Sequence, residues 1–218
     1  MAEPVKVKIC GLSEPGGVTA ALEAGAAYVG FVFYRRSPRF ITPEQAAELV
    51  ALVPRDVSAV GLFVDPTDAD LDAVLERASL GMVQLHGHET PARAREIGQR
   101  TGLPVIKALG IGGAADIHAA ATYRDAADML MFDAKPPAGA TRPGGNAVAF
   151  DWTLLRSYTG RQPWFLAGGL TRANVGAAIA QSGAALVDVS SGVETKPGVK
   201  SPAKIRAFLA AVRAASGT

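Results

Sequence analysis

Short apolar runs punctuate this chain, and most of them lead into a stretch with helical spacing. The runs begin at Val5, Tyr28, Val57, Met82, Val105, Met129, Trp164 and Leu186. In the first, Val5, Val7 and Ile9 alternate with Lys6, Lys8 and Cys10, and Gly11 then turns the chain. A period of two puts successive side chains on opposite faces, the signature of a β-strand. The intervening segments carry helix-start signals. Thr42-Pro43-Glu44-Gln45 offers an N-cap, a proline at the first helical position and a capping-box glutamine. Thr67, Thr90, Thr171 and Ser201 read as further N-caps, with Pro91 and Pro202 again at the first helical position. Ile205, Phe208, Leu209 and Val212 give the last helix one apolar face. The helix after Phe150-Asp151-Trp152 reads as short.

These β-then-α units, about 20–35 residues apart, predict an α/β protein built as a closed parallel (β/α)8 TIM barrel. An open doubly wound sheet is the alternative, and it normally has fewer strands at this length. No linker or compositional break divides residues 1–218, so the chain reads as a single barrel domain. The longest irregular stretch, Ala134 to Ala149, is rich in proline and glycine and follows the sixth strand. Loops of that length in a compact domain commonly act as lids.

Composition narrows the partners. With 49% hydrophobic and 19% charged residues, the chain can bury a sizeable core. A formal charge of +2 is too small to select nucleic acid or an anionic membrane. One cysteine excludes an internal disulfide and fits a reducing compartment. Met1-Ala2-Glu3-Pro4 leads into no apolar signal region, and no stretch is long enough to span a bilayer. A soluble, cytoplasmic protein is expected.

Several apolar runs carry isolated polar residues in alternation: Lys8 and Cys10, Gln84 and His86, Lys107, Asp133, Asp188 and Ser190. Burying charges singly is costly, so they need partners or a wet, functional mouth. Lys8 and Asp188 fall on strands that become neighbours when a barrel closes, which predicts an ion pair. Cys10, His86, Asp133 and Ser190 stand at carboxyl ends of strands, where barrel active sites lie. A lone cysteine is often a small buried hydrophobe, an aspartate often caps a turn, and a histidine is often a satisfied core residue. Their shared rim favours a site, with His86 as a substrate contact. Lys8, two residues before Cys10, is expected to lower the thiol pKa. Ala167-Gly168-Gly169-Leu170 and Ser190-Ser191-Gly192-Val193 follow the seventh and eighth strands, the usual phosphate site of the fold. Gly168, Gly169, Ser190, Ser191 and Gly192 are therefore the candidate phosphate ligands. Arg35, Arg36 and Arg39 read either as a solvated basic loop or as an anchor for an anion. His86-Gly87-His88 suggests a metal, but the only other histidine, His118, falls in a helix, so the ligand set is incomplete.

Taken in order, a set of motifs is distinctive: Lys8-Ile9-Cys10-Gly11, Gly30-Phe31-Val32-Phe33 with Ser37-Pro38-Arg39, and Gln84-Leu85-His86-Gly87. Phe132-Asp133, Phe150-Asp151-Trp152, Ala167-Gly168-Gly169-Leu170 and Asp188-Val189-Ser190-Ser191-Gly192-Val193-Glu194 complete it. Over essentially the whole chain this set resembles the phosphoribosylanthranilate isomerases of tryptophan biosynthesis. The resemblance implies a (β/α)8 barrel with no metal or organic cofactor. It implies Cys10 as general base, Asp133 as general acid and Arg39 as a contact for the anthranilate carboxylate. It also implies a small phosphosugar-anthranilate substrate, no nucleic-acid or membrane partner, and action as a monomer or homodimer. Gly17 departs from the acidic residue many relatives carry there. Gly144-Gly145-Asn146-Ala147 departs from Gly-Gly-Ser/Thr-Gly, and Ser201 from an aspartate.

An Amadori rearrangement needs such a pair. An acid protonates the ribose ring oxygen to open the ring, and a base removes the C2 proton to give an enolamine. Desolvation in a closed mouth would favour the protonated acid. The histidine-pathway aminoaldose isomerase performs the same rearrangement with an aspartate where this chain has Cys10. A pentose-phosphate epimerase would need a histidine-rich metal site. A non-catalytic phosphometabolite-binding barrel would keep the glycine loops but has no need of Cys10 together with Asp133.

Overall fold

Each short apolar run forms a strand, and the strands pair in sequence order with those at the two ends closing the ring. The computed structural model describes residues 3–135, 139, 144 and 149–217. Its parallel strands are β1 (Lys6–Cys10), β2 (Tyr28–Val32), β3 (Ser58–Phe63), β4 (Met82–Leu85), β5 (Val105–Ile111), β6 (Met129–Ala134), β7 (Trp164–Leu166) and β8 (Leu186–Val189). The helices around them are α1 (Pro15–Glu23), α2 (Pro43–Val50), α3 (Asp68–Leu75), α4 (Pro91–Thr101), α5 (Ala114–Ala119), α6 (Val175–Ser182) and α7 (Pro202–Ala215). A 3-10 turn, Trp152–Ser157, stands between β6 and β7 where a short helix was expected. A small antiparallel ribbon, β9 (Glu194–Lys196) and β10 (Val199–Lys200), follows β8.

The helix-start signals hold with one exception. Thr42 and Thr67 close capping boxes with Gln45 and Asp70, and Thr90 and Ser201 accept from the N–H groups of Arg93 and Lys204. Thr171 does not cap α6, which begins only at Val175. The Asn174 side chain folds back instead. Its Oδ1 accepts from Thr171 N at 2.7 Å and its Nδ2 donates to Gly169 O at 3.0 Å. That separate turn ties the loop after β7 to the start of the helix.

The alternation in β1 explains the layering. Val7 and Ile9 face the helices and join the main core, while Lys8 and Cys10 face the barrel interior. The lower interior is apolar, filled by Val60, Met82, Ile106, Met129, Met131, Phe165 and Leu186. Above it lies a polar layer. Lys8 and Asp188 are register partners across the β1–β8 seam, and Lys8 Nζ donates to Asp188 Oδ1 at 2.7 Å. Lys107 Nζ likewise donates to Glu89 Oε2 at 2.6 Å and to Gly87 O at 2.8 Å.

Burial works to lower the Lys8 pKa, but the Asp188 charge and hydrogen bond, helped by Cys10, outweigh it, and the net direction is upward. A raised lysine pKa means that the pair's stabilisation is present at neutral pH and lost only as pH rises through the folded-state value. Lys8→Met is expected to cost about 3–5 kcal/mol, because Asp188 is left buried without its cation. Replacing both partners by apolar residues is expected to recover much of that loss. Urea unfolding of the single and double variants checks this; an unchanged midpoint for Lys8→Met would show that the pair holds nothing.

Candidate active site

The carboxyl ends of the strands surround a cavity, the usual setting of a small-molecule site. Cys10 on β1, Arg39 after β2, Gln84 on β4, His86 just beyond it, Asp133 on β6, and Asp188 and Ser190 at β8 line it, with Val32, Leu62 and Tyr34. Of the residues singled out in the sequence, Cys10, Arg39, His86, Asp133 and Ser190 thus meet around one space. Gly168, Gly169, Ser191 and Gly192 lie in the two adjoining loops rather than on its wall. Gly168 has φ +85°, and a methyl there would fall 3.1 Å from Asp133 Oδ1 and 2.6 Å from Ala134 N, so the loop backbone packs directly against the acid.

Cys10 is buried, and its thiol shares the interior with the Lys8 ammonium. Gly30, its register partner on β2, makes the room: a methyl there would sit 3.1 Å from both Cys10 Sγ and Lys8 Nζ. Lys8 pulls the thiol pKa down as expected, but the net lowering that this suggested is overturned. Burial pushes the Cys10 thiol up, and although Lys8 and Lys200 pull it down, the net shift is upward, with Asp188 adding to it. The backbone of Cys10 is also held, since Ser190 Oγ donates to Cys10 O at 3.0 Å. Lys200 Nζ in turn donates to Ser190 O and Oγ, each at 3.0 Å, and to Glu194 Oε1 at 2.7 Å. Burial lowers Lys200 to about 8 despite Glu194.

Arg39 is 4% exposed and is already gripped. Its Nε and Nη2 donate to Glu194 Oε1 and Oε2 at 2.6 and 2.9 Å, a bidentate pair of the strongest kind. Burial works to raise the Glu194 pKa, but Arg39 and Lys200 overcome it and the net direction is down. A substrate carboxylate would therefore meet a guanidinium whose Nε–Nη2 edge is already taken. Arg35 and Arg36 are exposed, and Arg35 stacks over Phe40 at 5.3 Å. Sequence spacing gave no sign of Glu194, which lies 155 residues from Arg39.

Asp133 Oδ1 accepts from Ala134 N at 2.8 Å, and Oδ2 lies 3.2 Å from His86 Nε2. His86 Nδ1 lies 3.0 Å from Gln84 Nε2. Gln84 stands two residues before His86 on the same strand face, the one signal that could have drawn it into the site from sequence. Gly144 covers this contact; a methyl there would fall 2.7 Å from His86 Nε2 and 2.8 Å from Asp133 Oδ2. Of the rest of the expected lid only Ala134, Lys135, Gly139 and Ala149 are among the described residues; Gly145, Asn146 and Ala147 lie outside them. Gly17 packs on Leu12 and Lys200. The other histidine of the pair, His88, turns away, its N–H donating to Asp65 Oδ1 at 2.6 Å. Among the described residues no three of His, Cys, Asp and Glu gather as metal ligands would.

Comparison with known proteins follows this geometry. The family model for N-(5'-phosphoribosyl)anthranilate (PRA) isomerase matches residues 7–211. A protein of Paramagnetospirillum magneticum named N-(5'-phosphoribosyl)anthranilate isomerase is 58% identical over 210 residues, covering 96% of this chain and 98% of its own. One of Paracoccus denitrificans with the same name is 58% identical over 206 residues, covering 94% and 96%. The crystal structure of phosphoribosyl anthranilate isomerase from Thermotoga maritima superposes with a TM-score of 0.86 at 37% identity, covering 96% of this chain and 99% of that one. A phosphoribosyl anthranilate isomerase in complex with reduced 1-(o-carboxyphenylamino)-1-deoxyribulose 5-phosphate gives 0.84 at 36% identity, with the same coverage.

Gly30 yields a direct test of the thiol's position. Gly30→Ala should displace Cys10 Sγ by a few tenths of an ångström and lower kcat about tenfold or more, since small misplacements of a reacting group are costly. The unfolding midpoint should move little by comparison. Steady-state kinetics beside thermal unfolding decides it, and wild-type kcat in a folded variant would show that the contact is slack.

Proposed function

The chain belongs to the N-(5'-phosphoribosyl)anthranilate isomerase family and is an isomerase of tryptophan biosynthesis, and we propose that Cys10 and Asp133 carry out its proton transfers. The reaction is the Amadori rearrangement of N-(5'-phosphoribosyl)anthranilate to 1-(2-carboxyphenylamino)-1-deoxyribulose 5-phosphate. The observation that carries the assignment is the convergence of an acid on β6 and a thiol on β1 upon one cavity, with a cation beneath the thiol. Asp133 gives a proton to the ring oxygen as the C1–O bond breaks, and the nitrogen lone pair forms the C1=N iminium. The Cys10 thiolate then removes the C2 proton, and the electron pair flows to nitrogen, leaving an enolamine. The enol hydroxyl loses its proton to the Asp133 carboxylate while C1 gains one from the Cys10 thiol. The ketone forms and both groups end as they began.

Phosphate belongs in the loops after β7 and β8. Gly169 has φ +62°, and the 3-10 turn Ser191–Val193 starts with N–H groups that have no partner within the turn. The Ser190 hydroxyl contributes differently, since its proton is committed to Cys10 O. The complex of a relative with a reduced phosphosugar product supports a ligand of that class here. All the proposed groups come from one chain, so the site is complete in a monomer, and a homodimer like the relative described as dimeric would keep it. Among the described residues no helix is long and apolar enough to cross a membrane, and a cytoplasmic place suits a biosynthetic enzyme of this kind.

The base must be deprotonated to act. Because burial sets the Cys10 pKa above the ordinary thiol value, kcat/KM is expected to rise with pH along a limb displaced upward. Cys10→Ala and Asp133→Asn should each lower kcat by at least about 10²-fold while still binding the reduced product. Cys10→Ser should lie near the alanine variant, a hydroxyl being a far weaker acid. If Cys10→Ala turns over normally while Asp133→Asn is dead, the thiol only packs, and His86 becomes the first candidate base. For the phosphate loops, Gly169→Leu is expected to raise KM about tenfold or more with kcat less affected. Inorganic phosphate found in a soaked crystal elsewhere, with these loops empty, would refute that placement.

A further inference from the structure

The contact between Gln84 and His86 bears on how the acid keeps its proton aimed. Gln84 is 0% exposed and lines the cavity. Its Nε2 lies 3.0 Å from His86 Nδ1 and 3.3 Å from Met131 Sδ. A thioether sulfur can accept a hydrogen bond but has nothing to donate. The nitrogen end of the amide therefore belongs on this side; turned over, the carbonyl oxygen would face the sulfur lone pairs and the amide N–H would lose that acceptor. With an N–H aimed at it, His86 Nδ1 has to be the acceptor. The ring proton of a neutral imidazole then sits on Nε2, which faces Asp133 Oδ2 at 3.2 Å.

We propose that Gln84 is a positioning residue: it locks His86 in the Nε2–H tautomer so that the Asp133 proton is turned toward substrate. The inference rests on the assignment of Asp133 as the acid. With hydrogen on Nε2, His86 can only donate to Oδ2, and a protonated Asp133 has no acceptor in His86. Ala134 N already donates to Oδ1, so the acid's O–H is left the cavity as its direction. In the other tautomer the bare Nε2 lone pair would accept that O–H and hold the proton away from the ring oxygen. The Gln84 Oε1 atom is buried with no partner among the described residues. A substrate N–H or O–H entering the cavity would satisfy it.

The test is the protonation pattern of the His86 ring, read by 15N NMR on the whole protein, beside steady-state kinetics. Wild type should show a protonated Nε2 and a bare Nδ1; a protonated Nδ1 overturns the proposal without any variant. Gln84→Glu presents only acceptors to Nδ1, so the ring proton should move to Nδ1. Then kcat should fall about 10–100-fold, the range for partners that orient a functional histidine, with KM and binding of reduced 1-(o-carboxyphenylamino)-1-deoxyribulose 5-phosphate nearly unchanged. Gln84→Met keeps the size, releases the lock and should give an intermediate loss with both tautomers present. A Gln84→Glu protein whose ring proton has moved but whose kcat has not overturns the proposal. Asp133→Asn, measured alongside, separates the two levels. If it is inactive while Gln84→Glu is normal, the acid stands and the lock alone fails; if it is active, the acid assignment fails and the lock falls with it.

Discussion

The buried contact between Lys8 and Asp188 is what the upper half of the barrel is arranged around. It joins the first strand to the last across the seam that closes the ring. Two charges removed from water at that depth are tolerable only because each has the other. The pair then sets terms for its neighbours. Position 30 opposite is tight for any side chain, since a methyl would sit 3.1 Å from both the ammonium and the thiol above it. The thiol feels a cation pulling its pKa down and a dry interior, with Asp188, pushing it up. Burial wins. In the proton-abstracting role proposed for it, a thiol with a raised pKa would be less often ionised but, once ionised, a stronger base, and Lys8 limits how far that trade goes.

The same logic of paired charges runs along the rim. Arg39, Glu194, Lys200 and Ser190 are linked in a chain of hydrogen bonds that ends on the carbonyl of Cys10. Donors and acceptors in it are largely spent on one another, which is what a scaffold requires. On the other wall, Glu89 accepts from Asp65 N, Gly87 N and Lys107, fixing the loop that carries His86. Against these satisfied networks one atom of the cavity lining stands out: Gln84 Oε1 is buried with no partner among the described residues, as are Trp152 Nε1 and Tyr158 OH away from the cavity.

Much of this was legible in the sequence because it depends on period and neighbourhood. Alternation in β1 named the inward residues, and closure of an eight-stranded ring made Lys8 and Asp188 neighbours before any coordinate was known. The caps at Thr42, Thr67, Thr90 and Ser201 are local chemistry and were readable as such. Thr171 was misread because Asn174, three residues on, competes for the same turn with a longer reach. The direction of the Cys10 shift was not readable, since a sequence gives the lysine's proximity but not the depth of burial that outweighs it. The grip of Glu194 on Arg39 was unreadable for the same reason. The arginine's partner comes from the far end of the chain, and only the closed barrel brings Glu194 under it.

The interior is therefore stratified. Apolar side chains from β3 to β8 fill the bottom, a layer of buried ion pairs lies over them, and the reactive groups sit on top. Each layer depends on the one below for a different quantity. The apolar layer supplies burial energy and excludes water from beneath the charges. Dry surroundings strengthen the pairing of those charges, so they become rigid supports instead of mobile side chains. Rigid supports hold a thiol and a carboxylic acid at the rim at fixed positions, which is most of what acid–base catalysis on one small substrate demands. The glycines at 30, 144 and 168 occur where a reactive or charged atom comes within van der Waals reach of backbone. Side chains at those points would fill the space the proposed chemistry uses.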